Sequence, residues 1–341
     1  MLSLSTEKKE KIRQLHELTP GYNMVILVFL GVWALAAYLV LQLSGFWPRL
    51  PFYFLIGGTL HALAIVVHEA SHSNLYRSQK RLGRWANRWL GFLSGVPTLL
   101  SVSAYQAVHL PHHRYVRGLD DPDEFENITR RPLWLRIILL IWFGVGAYAY
   151  VFHTAFTGLK LANRQTRSRI IQEYLLIALL VGLAVYLAPP DVLLHVWLIP
   201  ALITAQFVQV RSLVEHIFTG GDNALTASRT VTSNFLVSFF LINANYHLEH
   251  HLYPGVPWYR LRELHSLLLD DFRRAGASIY SSYLLYLWDA CKAIFAAVPA
   301  PASPARRGYY LHYMPVLPRP ASAAARQLSP KSYTSYIPPL P

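Results

Sequence analysis

The sequence predicts an all-α integral membrane protein, with four transmembrane helices in two hairpins and a cytosolic helical cap that carries clustered histidines. Three observations lead there. Hydrophobic residues make up 53% of the 341 and charged residues only 14%, well below the roughly 25% charged of a soluble domain. The apolar residues fall in long runs, the pattern of a chain that crosses a bilayer. The net charge of +13 collects at the ends of those runs, where the positive-inside bias and anionic headgroups select it. No basic stripe interleaved with aromatics marks a nucleic-acid surface, so no nucleic-acid partner is expected.

Residues 1–21 are polar and carry Lys8, Lys9, Lys11 and Arg13. They lack the apolar core and small-residue cleavage site of a secretory signal and read as a cytosolic N-terminal segment. The run 22–43 is long enough to span at about 1.5 Å per residue. A turn at Gly45, Trp47 and Pro48 leads into a second run, 50–67, which returns the chain to the cytosolic face. Residues 73–132 read as a polar loop region, basic at Arg77–Arg88 and acidic at Asp120, Asp121, Asp123, Glu124 and Glu126. Further apolar runs cover 133–157, 171–188 and 192–210, the last two joined by Pro189-Pro190-Asp191. The segment 231–242 is apolar but too short to span. The Pro/Ala/Ser-rich stretch 298–341 is expected to be disordered. Cys291 is the only cysteine, which excludes a disulfide framework, a C-x-x-C redox pair and a cysteine-held iron–sulfur cluster.

The chemistry lies in three histidine clusters at the ends of these runs. HEASH (68–72) supplies His68 and His72 and fits the H-E-x-x-H pattern of zinc proteases. HLPHH supplies His109, His112 and His113, and HLEHH supplies His247, His250 and His251. On a helix, residues at i, i+3 and i+4 share a face, so each cluster is expected to point its imidazoles at one centre. Eight neutral imidazoles exceed what one catalytic zinc uses, since such a site takes three protein ligands and keeps a position open. Two first-row ions at four or five ligands each would use them, and imidazole suits iron as well as zinc. The Glu-x-x-His pattern of soluble di-iron bundles is missing. An intramembrane zinc protease would need a downstream acidic ligand, for which only LDDPDEF beside HLPHH offers itself. That reading and a non-catalytic metal-binding membrane protein are carried as alternatives.

HEASH, HLPHH and NANYHLEHHLYPGVP, in that order and with paired apolar runs before the first and third, resemble the membrane-bound fatty acid desaturase and hydroxylase superfamily over roughly residues 25–270. The resemblance implies a membrane desaturase-like domain at 22–297 and a non-haem centre of two iron ions (Fe2+/Fe3+) that uses O2 to attack an unactivated C–H bond. It implies His68, His72, His109, His112, His113, His247, His250 and His251 as iron ligands, and His216 in RSLVEH as a ninth. Glu69 then ceases to be a protease base. Glu69, Asp121 and Glu249 become candidates to hydrogen-bond the ligands' outer nitrogens, together with Asp120, Asp123 and Glu215, while Asn243 becomes a candidate to hold a metal-bound water. His61, His153, His195 and His265 read as structural.

All clusters must meet on one side of the membrane. Were 133–157, 171–188 and 192–210 all to cross, His216 and the third cluster would lie opposite the first two. The pair 171–188 and 192–210 forms a natural hairpin with basic flanks, so 133–157 is expected to lie in the interface or re-enter, with Trp134, Arg136 and Trp142 at headgroup depth. The loose G-x-G-x-x-A match at 144–149 has no strand before it and fails its context. With no flavin, nicotinamide or haem site visible, a separate electron donor of ferredoxin or cytochrome b5 type is implied, with Arg77–Arg88 and Arg260–Arg274 as candidate docking loops. Desaturation of an acyl chain in a lipid or thioester is the expected reaction. Hydroxylation or ketolation of a carotenoid, alkane or lipid is the alternative from the same ligand set.

Overall fold

The computed structural model describes residues 2–77, 81–118, 120–124, 132–217, 219 and 223–295. The tail 298–341 and the side chains of Trp134, Arg136 and Trp142 lie outside the described residues. Helices account for most of the chain: α1 (Thr6–Leu15), α2 (Val25–Gln42), α3 (Phe46–Ser71), α4 (Arg81–Gly95), α5 (Val102–Tyr115), α6 (Pro132–Leu161), α7 (Arg164–Leu187), α8 (Pro190–Leu193), α9 (Ile199–His216), α10 (Phe235–Phe240), α11 (His247–Leu252), α12 (Leu261–Ala275) and α13 (Tyr283–Phe295). The all-α expectation needs one small correction. Two-residue strands β1 (Thr230–Val231) and β2 (Ile279–Tyr280) pair in parallel, with Thr230 opposite Ile279.

Four helices are long and apolar enough to cross a membrane: Pro20–Gln42, Phe46–Ser71, Arg164–Leu187 and Pro190–His216. They coincide with the four runs expected to span, but three of them extend further toward the histidines. Helical hydrogen bonding continues after the chain leaves the apolar stretch, so α3 reaches Ser71 and α9 reaches His216. α8 runs into α9 through a π-helical turn at Leu194–Leu198.

The packing departs from two closed hairpins. α2 packs on α3, but α9 packs along α3, and α7 packs against α5 and α6. Gly57 explains the close approach of α3 and α9. A Cβ there would lie 2.9 Å from Ile203 Cγ2, and the Thr204 hydroxyl donates to the Gly57 carbonyl at 2.9 Å. The apolar faces of α2, α3, α4 and α7 share one core around Phe29, Val66, Val67, Phe92 and Ile177.

The region 73–132, expected as loop, contains α4 and α5. α4 alternates Arg84 and Arg88 with Trp85 and Trp89, so its apolar face is a narrow stripe and not a run. The segment 231–242 holds only the short α10. Below the cluster, α1 docks on α12 through Ile12 and Leu15 against Leu264, Leu268 and Phe272, and Lys8 binds Asp271 at 2.5 Å. Gly144–Ala149 falls inside α6.

Gly91 allows α4 to lie directly on the first histidine segment, since a Cβ there would overlap that of Ala70. Gly91→Ala should therefore cost about 1–3 kcal/mol through overpacking. Gly182 on α7 has nothing within 4 Å of such a Cβ, and Gly182→Ala should leave stability unchanged or raised. Thermal unfolding of the two variants in detergent checks this, and equal midpoints would refute the packing argument.

Candidate metal centre

Each histidine segment is fixed by partners for its backbone. His72 is the C-cap of α3, and Ser73 after it is left-handed (φ 59°). The carbonyls left open at that helix end are taken by side chains. Asn87 donates to Ala70 O at 2.9 Å and Gln106 donates to Ser71 O at 2.8 Å. The Asn87 amide oxygen also accepts from the N–H groups of Leu75 and Tyr76. α5 starts at Ser101, whose hydroxyl caps Ala104 N. α9 ends at His216, where the buried Arg229 donates to Val214 O and Ile217 O and the Tyr286 hydroxyl donates to Leu213 O. α11 follows two left-handed residues, Ile242 and Asn243, and is tied to β1 by Asn245, which donates to Val231 O at 2.7 Å.

These elements bring all nine expected histidines together in two adjoining groups. His68, His72, His109, His113 and His250 form one. His112, His216, His247 and His251 form the other. The groups touch where His113 stacks on His251, with centroids 4.1 Å apart.

The expectation of one centre per segment is corrected. His109 and His113 of α5 face the first group while His112 faces the second, and α11 mirrors this with His247 and His251 in the second and His250 in the first. At about 100° per residue, positions i and i+4 differ by only about 40° around the helix, while i+3 and i+4 differ by about 100°. The i+3 imidazole is therefore the one free to serve the neighbouring centre.

Hydrogen positions decide what such groups can hold. His112 Nδ1 lies 2.9 Å from Asp121 Oδ1, His216 Nδ1 lies 3.2 Å from Ala227 O, and His247 Nδ1 lies 3.4 Å from Glu215 Oε1. A nitrogen facing an acceptor is the protonated one in a neutral ring, which turns Nε2 inward. His112 Nε2 lies 3.3 Å from His216 Nε2, which lies 2.8 Å from His247 Nε2. Ring nitrogens this close need either a proton shared between them or a cation among them. In the first group the buried Nε2 atoms of His68 and His72 have no hydrogen-bond partner. The five closest Nε2 contacts, 2.8–3.3 Å, match the edges of a polyhedron around an ion about 2.0–2.1 Å from each nitrogen. Burial drives the imidazoles of His109, His113, His247, His250 and His251 well below their ordinary pKa and that of His72 to about 3, so they stand neutral, as ligands must. His112 departs from them. Burial lowers it, but the Asp121 carboxylate, with Asp123 and Glu124, outweighs burial and raises it to about 9. The residues therefore fit two cations, five imidazoles around one and four around the other.

The profile of the fatty acid desaturase family matches residues 44–283, a stretch that holds all nine histidines. The chain belongs to that family. Similar proteins agree. The sn-1 oleoyl-lipid 12-desaturase of Picosynechococcus is 23% identical over 83% of this chain and 85% of its own. The sphingolipid delta(4)-desaturase/C4-monooxygenase DES2 of Homo sapiens is 27% identical over 83% and 84%. The sphingolipid delta(4)-desaturase DES1 of Gallus gallus is 25% identical over 79% and 81%. This desaturase-family chain is an oxidoreductase of lipid metabolism, and the protease reading of HEASH is not favoured.

The four side chains expected behind the ligands divide evenly. Glu69 lies 3.2 Å from His68 Nδ1 and accepts from Asn74 and from Trp258 N, while Asp121 faces His112. Glu249 instead accepts from the Thr230 hydroxyl and lies 2.6 Å from His265 Nδ1, so it anchors α11 to α12 and touches no imidazole of the groups. Asn243 is left-handed at φ 53°, and its side chain makes no hydrogen bond to another described residue. Glu215, singled out in the sequence only as one carboxylate among several, reaches His247 and is gripped by Arg211 at 2.5 Å. Arg211, expected from the sequence only as a basic flank of the last apolar run, stands at i,i+4 to Glu215. Of the remaining histidines, His61 is buried on α3 against Phe207, and His195 bonds Tyr53 and Arg49 near the far end of α9.

Asp121 is itself held by the N–H groups of Arg117 and Asp123, each at 2.9 Å. Asp121→Asn should weaken metal retention by the four-imidazole group roughly 10–100-fold, the usual effect of losing such a partner. Asp120→Asn, on an exposed neighbour, should change nothing. Metal per chain after graded chelator dialysis reads this directly, and equal retention in both variants would contradict the role given to Asp121.

Proposed function

We propose that this protein is an O2-dependent desaturase that introduces a double bond into an acyl chain of a membrane lipid or acyl thioester. The observation that carries the reading is the pair of adjoining imidazole groups with no carboxylate in the inner ring of the five-imidazole group. They are built at the ends of helices apolar enough to cross the bilayer, in a chain of the desaturase family. His68, His72, His109, His113 and His250 would hold one iron ion, and His112, His216, His247 and His251 the other. When bound, the two ions supply the O2 chemistry needed to break unactivated C–H bonds. In the overall reaction a –CH2–CH2– unit, O2, two electrons and two protons give –CH=CH– and two water molecules.

The chain's own residues set the conditions. Asp121 bonds the outer nitrogen of His112, and Glu69 and Glu215 stand 3.2 and 3.4 Å from those of His68 and His247, an arrangement that aims each ring inward. Burial of His68, His109, His112, His247 and His250 keeps water from the site, so that an oxidising centre meets only substrate. The electrons come from a separate protein of ferredoxin or cytochrome b5 type, because one exposed cysteine, Cys291, cannot build a redox relay. α12 packs on the third-histidine helix and presents the exposed Arg262, Arg273 and Arg274, a surface suited to an acidic donor.

Hydroxylation is the second reading. The human relative carries both desaturase and C4-monooxygenase in its name, which keeps both outcomes open within the family. Lipids of a host that expresses the protein with a matched donor should yield, by mass spectrometry, a species lacking two hydrogens. The same host carrying His250→Ala should yield none. A product that instead gains one oxygen transfers the assignment to hydroxylation, and a purified protein that holds zinc in place of iron sinks both.

Topology follows from the same site. His112 of HLPHH and His216 belong to one group, so an even number of crossings separates them. α7 and the helix Pro190–His216 provide two, and α6 would then lie along the cytosolic interface. Lys8, Lys9, Lys11, Arg164, Arg167 and Arg169 all fall on the histidine side, which supports a cytosolic N-terminus and active site. In a Cys291→Ser background, a cysteine at Arg164 should react with an impermeant thiol reagent only from the cytosol, and one at Asp191 only from the opposite side. Labelling at 164 from the outside would falsify this arrangement.

A further inference from the structure

We propose that the hollow between α4 and α7 binds one anionic phospholipid, with its phosphate on Arg84 and Arg169 and an acyl chain along Phe92 and Leu176. The inference is independent of the desaturase reading. The hollow measures about 590 Å³, within the range of small-ligand sites and too narrow for a protein partner. Its walls follow helical spacing. On α4, Arg84, Arg88 and Phe92 recur every four residues, with Trp85 and Trp89 beside them. On α7, Arg169, Glu173 and Leu176 stand on one face. Along both helices the lining passes from arginine to hydrocarbon within two turns, the order of groups in a phospholipid entering a bilayer.

Charge selects an anion. Three arginines against one carboxylate leave the lining with a net charge of two. The carboxylate is already engaged, since Glu173 takes Arg88 at 2.9 Å, the Ser101 hydroxyl at 2.6 Å and the Ser103 hydroxyl at 2.8 Å. Arg169 has no carboxylate partner among the described residues. Guanidinium forks on two facing helices suit phosphate oxygens bidentately. Trp85 and Trp89 are 55% and 38% exposed, as tryptophans at headgroup depth are. The site has an apolar floor beside a helix long and apolar enough to cross the membrane, which suits an acyl chain.

The full chain, purified with its metal, would be placed in nanodiscs of phosphatidylcholine with a minority of phosphatidylglycerol and examined by native mass spectrometry after lipid stripping. Wild type should retain one phosphatidylglycerol. Arg84→Gln/Arg169→Gln should retain it roughly tenfold less. Arg164→Gln/Arg262→Gln, with the same loss of charge outside the hollow, should match wild type. Equal retention by all three, or equal loss in both variants, overturns the site. Release of the lipid by excess inorganic phosphate would make it a free-anion site and overturn the lipid assignment. Should the glutamine pair fail to fold, Trp85→Phe/Trp89→Phe serves instead. Phosphatidylglycerol brominated on its acyl chain should quench wild-type fluorescence more than brominated phosphatidylcholine does, and the excess should vanish in Trp85→Phe/Trp89→Phe. Equal quenching by the two lipids in wild type refutes the proposal.

Discussion

The structure depends on buried imidazole nitrogens so close that a shared proton or a cation must lie between them. His112 and His216 bond Asp121 and Ala227 O through Nδ1, Glu215 stands 3.4 Å from His247 Nδ1, and the three rings turn Nε2 toward one another, His216 lying within 3.3 Å of both others. Burial removes the alternative of protonating most of the rings. A chain that ends four helical segments in such an arrangement holds them together through what it binds, and metal affinity becomes part of folding stability. The helix-end devices serve that constraint. Asn87, Gln106, Arg229 and Tyr286 take the carbonyls at the ends of α3 and α9 and thereby fix where His72 and His216 stand.

The bilayer adds a second constraint, on parity. α3 and the helix Pro190–His216 each carry a ligand at the same end, and they pack side by side through Gly57 and Thr204. Two parallel apolar helices in contact cannot be consecutive partners of a tight hairpin. The contact gives α9 to α3, and α7 packs on α5 and α6. The short Pro189–Pro190 connection sets the end of α7 close to the start of α8 without setting which faces meet. The lone pairs at the helix ends and the small-residue contact within the helices point to the same register.

Much of this was legible because it is local. Apolar runs and the spacing within HEASH, HLPHH and HLEHH are properties of a few consecutive residues, so four long apolar helices and eight clustered histidines could be read from them, while His216 was expected on the family resemblance. α4 was not, because Arg84 and Arg88 beside Trp85 and Trp89 hide a narrow apolar stripe from any reading based on run length. The sharing of each H-x-x-H-H segment between two groups was also hidden, since it depends on how α5 and α11 face each other. Glu249 was misread by proximity. Two residues after His247 on a helix, it lies about 200° around the axis and must face away, toward Thr230 and His265. Glu215 precedes a ligand by one residue and reaches a different one, His247, which only the meeting of α9 and α11 makes possible.

The composition of the inner ring has a consequence for how such a centre is tuned. Soluble di-iron bundles put carboxylates directly on the metal, which cancels charge where it arises. Here the described five-imidazole group is wholly neutral, and the carboxyl groups stand one imidazole further out, at Glu69, Asp121 and Glu215. An anion at that distance acts through the ring: it draws on the Nδ1 proton, raises the basicity of Nε2 and leaves the coordination position to nitrogen. Arg211 takes part of the Glu215 charge, whereas Asp121 receives backbone N–H groups and stands beside Asp123 and Glu124. The two groups therefore differ in the electrostatic pull on their rings as well as in their number of imidazoles. Two ions held there would be inequivalent, a difference that originates in residues that never touch a metal.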